Sequence, residues 1–263
     1  MDRGPLGKIT ATGLYCESHY EKQSQTLLLL HDGGLSSKQW QPQIGCLRDF
    51  HLLLPDMPEQ GKTDGEFELN DATKRIADLI AAQAHGAQAH VVGLSLGGAI
   101  VLELLHACPE RVQTAIVMGT SGKLNRMLGQ VLLWQADLGR LFSAKWVVNM
   151  SIRMFGIEAY RDLVYEDLLR ATAPGFTKRI AQSLMAAQIP TRNKVPLLVL
   201  VGEKETGPAK RAARGLAATI PNASGATVPR VGHVWNLQNP ILFCDVVRLW
   251  ASRQQVAPVL QAF

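Results

Sequence analysis

The sequence has only four cysteines in 263 residues, Cys16, Cys46, Cys108 and Cys244, all widely spaced. None has the CxxC or CxxH spacing of a zinc site, so no metal and no organic cofactor is expected. Reduced, buried thiols in a cytoplasmic protein are the simplest reading; the even count leaves disulfides open but does not support one. Long apolar runs are also absent. The longest near the start, Leu27 to Leu30, is far too short to span a bilayer. The opening MDRGPLGKIT lacks the apolar stretch of a signal peptide, so none is expected. The formal charge is +5, yet lysines and arginines are scattered, which leaves no basic stripe for nucleic acid. There is no internal repeat and no low-complexity tract. With 47% hydrophobic and 19% charged residues, the chain is globular rather than disordered. Its length suits one large domain, or a core carrying an insertion. No nucleic-acid or membrane partner is expected, and the oligomeric state is not legible.

Short apolar runs alternate with amphipathic segments, the pattern of an α/β fold with a mostly parallel sheet. Strands are expected at Thr26–His31, His51–Pro55, Ala89–Leu94, Thr114–Met118, Pro196–Val201 and Gly225–Val231. Their continuous apolar character suits strands covered on both faces. A weaker antiparallel pair is expected at Lys8–Thr10 and Leu14–Glu17, turning at Thr12–Gly13. Helical periodicity in Ala72, Ile76, Leu79, Ile80 and Ala84 predicts a helix capped by Asn70 and stopped by Gly86. Further helices are expected just after Ser95, near Pro208–Thr219, and from Asn239–Pro240 to about Ser252. Residues 123–194 contain no convincing strand. They read as several helices broken at Gly129, Gly139, Gly156 and Pro174–Gly175, an insertion between two strands.

The sharpest chemical signal is Gly93-Leu94-Ser95-Leu96-Gly97, which follows a strand and opens a helix. That context turns a G-x-S-x-G string into a nucleophile elbow rather than an ordinary glycine turn. Glycines relieve the crowding, and the serine projects where helix N–H groups point outward. A second signal is His31-Asp32-Gly33-Gly34 at a strand exit. An acyl-transfer site needs two donors for the developing oxyanion; the backbone N–H groups of Leu96 and Gly33 are the candidates, with His31 bracing the loop. Among seven histidines only His233 lies in a loop at the exit of the last strand, C-terminal to the others, which makes it the candidate base. The acid should lie between nucleophile and base in the chain. Glu205, after the strand Pro196–Val201, is the choice, with Glu203 beside it as competitor.

These residues resemble the α/β-hydrolase superfamily along nearly the whole chain. LLLLHDGGLSSKQW looks like its oxyanion-loop segment, LLLPDMPEQGKTD like its following loop, and VVGLSLGGAI like its elbow. VPLLVLVGEKE and VPRVGHVWNLQNP resemble its acid and histidine segments. The likeness is closest to esterase-like and lactonase-like members with a GLSLGG elbow. It implies an eight-stranded sheet flanked by helices. The core would comprise 1–122 and 195–263, and 123–194 would form a helical cap. Dehalogenases and epoxide hydrolases of this fold use an Asp nucleophile, where this chain has Ser95; proline iminopeptidases have an HGGPG-type loop, where this chain has HDGGL. Three positions depart from the family pattern. Asp32 stands where Gly is usual, Glu59-Gln60 where Gly-His is common, and Glu205 where Asp is usual. No chemical part is expected of Glu59-Gln60.

The expected function is hydrolysis of a small carboxylic ester through an acyl-enzyme, with Ser95 attacking, His233 shuttling the proton and Glu205 orienting the imidazole. Lactone, thioester or C–C bond cleavage by the same triad remains open. So does a slow ligand-binding receptor, which turnover of a p-nitrophenyl ester panel would separate from a working esterase. The cap's apolar residues, Leu132, Leu138, Phe142, Met150 and Phe155 among them, predict an apolar pocket. Trp40, Trp134, Trp146 and Trp235 are the candidate substrate-binding residues.

Overall fold

The computed structural model describes residues 7–125, 127, 129, 130, 133, 134 and 141–263. Leu132, Leu138 and Gly139 of the expected cap, and the opening MDRGPL, lie outside the described residues.

The alternating apolar runs form one sheet. Its strands are β1 (Lys8–Ile9), β2 (Tyr15–His19), β3 (Thr26–Leu30), β4 (His51–Pro55), β5 (Ala89–Leu94), β6 (Val112–Met118), β7 (Leu197–Gly202), β8 (Ala223–Val228) and β9 (Gln261–Ala262). Their order is β1-β2-β4-β3-β5-β6-β7-β8-β9. From β4 through β8 the pairing is parallel; β1, β2 and β9 add antiparallel edges. The ninth strand, two residues near the end of the chain, is too short to show a period. It accounts for the difference from the eight expected.

The inner strands are buried on both faces, so each leucine row serves two cores. Leu28, Leu30, Leu53 and Val91 pack with α1 (Leu69–Gln83) and α2 (Leu96–Ala107). Leu27, Leu29, Leu52, Leu54 and Val92 face the opposite core. The helix α1 starts two residues earlier than the Asn70 cap predicts. Glu68, in extended conformation, accepts from the backbone N–H groups of Asn70 (3.0 Å) and Asp71 (2.7 Å), so a longer carboxylate does the capping.

Between β6 and β7 the described residues contain helices and no strand. They include α3 (Ala144–Phe155), α4 (Arg161–Ala171) and α5 (Phe176–Ala186). Gly156 ends α3 in the left-handed conformation (φ 62°), and Gly175 opens α5 (φ 89°), as the glycine breaks predict. Polar contacts fasten these helices to the core. Buried Asp167 accepts from Ser36 and pairs with Lys38 at 3.5 Å, and Arg170 donates to the Gly61 carbonyl at 2.9 Å. Arg179 forms a forked pair with Glu59. After β7 come α6 (Gly207–Thr219) and, after β8, α7 (Pro240–Arg253), with Asn239 capping through Leu242 N–H at 3.2 Å. No described helix is long and apolar enough to cross a membrane.

Cys46 and Cys244 form a disulfide across 198 residues of sequence, with Cα atoms 6.2 Å apart. This corrects the expectation of four reduced thiols. Spacing along the chain gives no warning of a pair that only the packing of α7 brings together. Disulfides persist mainly in oxidising compartments, so the cytoplasmic expectation loses the support it drew from reduced cysteines. Cys16 is a buried thiol whose pKa burial pushes up to about 12, and Cys108 is free and partly buried.

Trp40, Trp235 and Phe243 pack in the second core, with ring centroids 5.5 and 5.2 Å apart along the chain of contacts. Trp40 is 0% exposed. Trp40→Ala should therefore destabilise the fold by about 3–5 kcal/mol in urea titration, the cost of a large core cavity.

Candidate active site

Leu94 ends β5 and Leu96 begins α2, so Ser95 alone makes the turn between them. Its φ of 54° and ψ of −108° are uncommon for a residue with a side chain. A strained backbone of this kind costs about 1–3 kcal/mol and persists only where the surroundings enforce it. They do so here. Ser95 N–H donates to the Met118 carbonyl at 2.8 Å, and Ser95 O accepts from Ala99 N–H at 3.1 Å. A Cβ on Gly93 would run into the Gly97 carbonyl, and one on Gly97 into the Leu30 carbonyl. Glycine is required because β5, the start of α2 and the end of β3 touch backbone to backbone.

The loop after β3 is braced from beneath by His31, which is fully buried. Its Nδ1 donates to the Asp32 carbonyl at 2.8 Å, and its Nε2 accepts from Met57 N–H at 3.0 Å. Burial lowers its pKa, which suits the neutral ring this pairing needs. Gln60 Oε1 accepts from Gly34 N–H at 2.6 Å, and Gln39 Oε1 from Asp32 N–H at 2.9 Å. Glu59-Gln60, expected to do little, thus hold the loop and the helix α5 at once. Gly33 lies against Leu96, the other oxyanion candidate; a Cβ there would be 3.5 Å from the Leu96 Cβ. The Gly33 N–H, however, donates to the Asp32 carboxylate at 2.6 Å.

His233 meets Glu205 as the chain order predicts. Its Nδ1 donates to Glu205 Oε2 at 2.9 Å, while Glu205 Oε1 accepts from Gly202 N–H at 3.0 Å. Glu203 instead accepts from Arg230 N–H at 2.6 Å, away from the imidazole. The other ring nitrogen departs from expectation. Nε2 lies 3.4 Å from Asp32 Oδ2, and among the described residues no hydrogen bond joins it to Ser95. The two are nevertheless neighbours around Gly119 (φ 57°). Ser95 bonds the residue before it, and a Cβ on Gly119 would sit 2.7 Å from His233 Cε1. Sequence reasoning missed Gly119, because a glycine after a strand is ordinary and its contact is long-range.

The helices of residues 144–186 reach this centre. Phe155 stacks on His233 with centroids 5.7 Å apart, and Ile180 Cδ1 would lie 3.5 Å from a Cβ on Gly33. A cavity of about 1100 Å3 opens beside His233 and Glu205, lined also by Phe155, Gln238, Lys204 and Arg230. The four tryptophans do not line it. Trp40 and Trp235, 0% and 1% exposed, are core residues, a correction to their expected place in the pocket. Trp134 is exposed, and Trp146 stacks on Phe142 and lines a separate cavity with Arg161. An aromatic's sequence proximity to a catalytic loop does not say which face of the loop it packs on.

The sequence profile of the alpha/beta hydrolase family matches residues 27–246. The chain belongs to the alpha/beta hydrolase family. Among its relatives, an AB hydrolase superfamily protein of Gibberella zeae is 28% identical over 94% of this chain and 87% of its own length. A carboxylesterase of Bacillus subtilis is 24% identical over 83% and 77%. A thermophilic esterase from Thermogutta terrifontis has the same fold, with a TM-score of 0.74 at 18% identity over 94% of this chain and 96% of that one.

Within this alpha/beta hydrolase site the imidazole carries unusual electrostatics. Burial opposes its charge, but the carboxylates of Asp32 and Glu205 outweigh burial and raise its pKa to about 10. A folded-state pKa above the unfolded value means that the imidazolium stabilises the fold. The contribution is full below about pH 6.5 and is lost as pH rises through about 10. NMR titration of His233 should find the ring still protonated at pH 8; a midpoint near 7 would contradict the two-carboxylate pairing. For the candidate acid, Glu205→Gln should lower kcat by about 10^2–10^4-fold, because an amide favours the wrong imidazole tautomer. Glu203→Gln should stay close to wild type when the two are assayed side by side.

Proposed function

We propose that this protein is a serine hydrolase that cleaves a carboxylic ester of a mainly apolar small molecule. The observation that carries this reading is the strained Ser95 turn, set across Gly119 from the His233–Glu205 pair. Ser95 Oγ attacks the carbonyl carbon as its proton passes to His233 Nε2, which must first release its own proton to solvent and turn from Asp32. Glu205 holds the ring through Nδ1. The proton then passes to the departing alcohol, and water attacks the acyl-enzyme by the same route in reverse. Leu96 N–H, at the first turn of α2, and Gly33 N–H receive the oxyanion. The carboxylesterase and esterase among its relatives and structural neighbours support the reaction class. Phe155 and Ile180, from the inserted helices, supply apolar walls.

Ser95→Ala should leave the circular dichroism spectrum unchanged and reduce turnover of a p-nitrophenyl ester panel by about 10^3-fold or more. Equal turnover in a preparation free of other esterases would reject the serine mechanism. Phe155→Ala should shift the preference among acyl chain lengths while leaving fluorophosphonate labelling of Ser95 nearly unchanged. A uniform loss across the panel would instead show that Phe155 serves only to hold His233.

A further inference from the structure

The reading of Ser95 as nucleophile leaves one feature of the site unused: the carboxylate of Asp32. It stands in the loop that should receive the oxyanion, and its side chain is only 13% exposed. Oδ1 takes the Gly33 N–H at 2.6 Å, so a negative group already occupies one of the two candidate oxyanion donors. Oδ2 faces His233 Nε2 at 3.4 Å, so the same carboxylate draws the base away from Ser95. That separation is longer than the 2.7–2.9 Å of a good charge-assisted bond. Among the described residues no lysine or arginine pairs with Asp32. A mostly buried carboxylate is thus left with an imperfect counterion that it borrows from the catalytic pair.

A neutral ester meets three obstacles here. The oxyanion forms against an existing negative charge, the Gly33 N–H is engaged, and the base is held as an imidazolium. A cation on the acyl group removes the first and the third. Bound to Asp32, an ammonium replaces His233 as counterion and neutralises the charge beside the developing oxyanion. The imidazolium, with one carboxylate fewer, gives up a proton to solvent, and neutral Nε2 then accepts from Ser95 Oγ. We propose that Asp32 is a specificity-determining residue that selects acyl groups carrying a primary ammonium within one or two carbons of the scissile carbonyl. This inference rests on the serine-hydrolase reading and names the substrate class of that site. The charged groups that face His233 are Asp32 after β3 and Glu205 after β7. Arg153 at the end of α3, Lys204 and Arg230 line the cavity on the Glu205 side, at exposed positions. None of these three cations pairs with Asp32.

The test compares two esters of nearly equal shape, p-nitrophenyl β-alaninate and p-nitrophenyl butyrate, each rate divided by its hydroxide-catalysed rate. At pH 7 the wild-type protein should favour the β-alaninate in kcat/KM by about tenfold or more. Asp32→Asn should abolish that preference, raise kcat/KM for the butyrate, and move the base-limited limb of its pH profile to lower pH. Equal handling of the two esters by wild type overturns the proposal, and this arm stands even if the variant does not fold. An equal rise for both esters in Asp32→Asn also overturns it, since Asp32 would then restrain the base without selecting the acyl group. If neither ester is turned over and a fluorophosphonate does not label Ser95, the serine-hydrolase reading is what has failed, and this inference falls with it.

Discussion

The contact between the start of α2 and the carbonyl end of β3 sets the geometry of the whole candidate centre. Gly97 lies against the Leu30 and His31 carbonyls so closely that no side chain fits between. Parallel pairing of β3 with β5, which places Leu30 opposite Gly93, brings these backbones into register. Ser95 is thereby forced through its strained turn, and Leu96 N–H is delivered to the same point as the loop of Asp32 and Gly33. The sheet's large apolar burial absorbs the local strain, since a few kcal/mol at one turn is small beside the two cores that hold it.

Electrostatics then decides what state that geometry rests in. One imidazole stands between two carboxylates, in a pocket from which water is partly excluded. Attraction is strengthened there, and so is the penalty for any charge left over. Two carboxylates around one imidazolium leave the centre one negative charge in excess. A site in that condition is poised for a positive ligand and resists a developing anion. The unusual partner of His233 is therefore an energetic feature of the site as well as a departure from the expected geometry.

The inserted helices are held by polar fastenings at their margins and apolar contact at the centre. Forked and partly exposed pairs such as Arg179–Glu59 give orientation more than stability, because exposed ion pairs contribute little net energy. Ile180 and Phe176, against Gly33 and Gly34, set how near the helices approach the loop. Gln238 links the two parts directly, accepting from Gly232 N–H and donating to the Phe155 carbonyl at 2.7 and 2.5 Å. A shift of α3 would therefore reach His233 through both its ring contact and the loop that carries it.

The order of residues was enough to read the parallel sheet, the elbow at Ser95, the loop positions of His233 and Glu205 and the bracing role of His31. Each rests on local rules: an apolar run of strand length, glycines at a tight turn, a loop at a strand's exit. Tertiary structure alone decided the Cys46–Cys244 disulfide, the burial of Trp40 and Trp235, the need for glycine at 119 and the turning of His233 towards Asp32. All four depend on which side chains meet across many residues of chain, and that is fixed by packing and by the balance of charge in a shared pocket. Asp32 shows the boundary most clearly. Its oddity in the oxyanion loop was legible as a residue type, but its consequence appeared only when the fold set its carboxylate 3.4 Å from the imidazole, where Coulomb attraction competes with a serine hydroxyl for the same nitrogen.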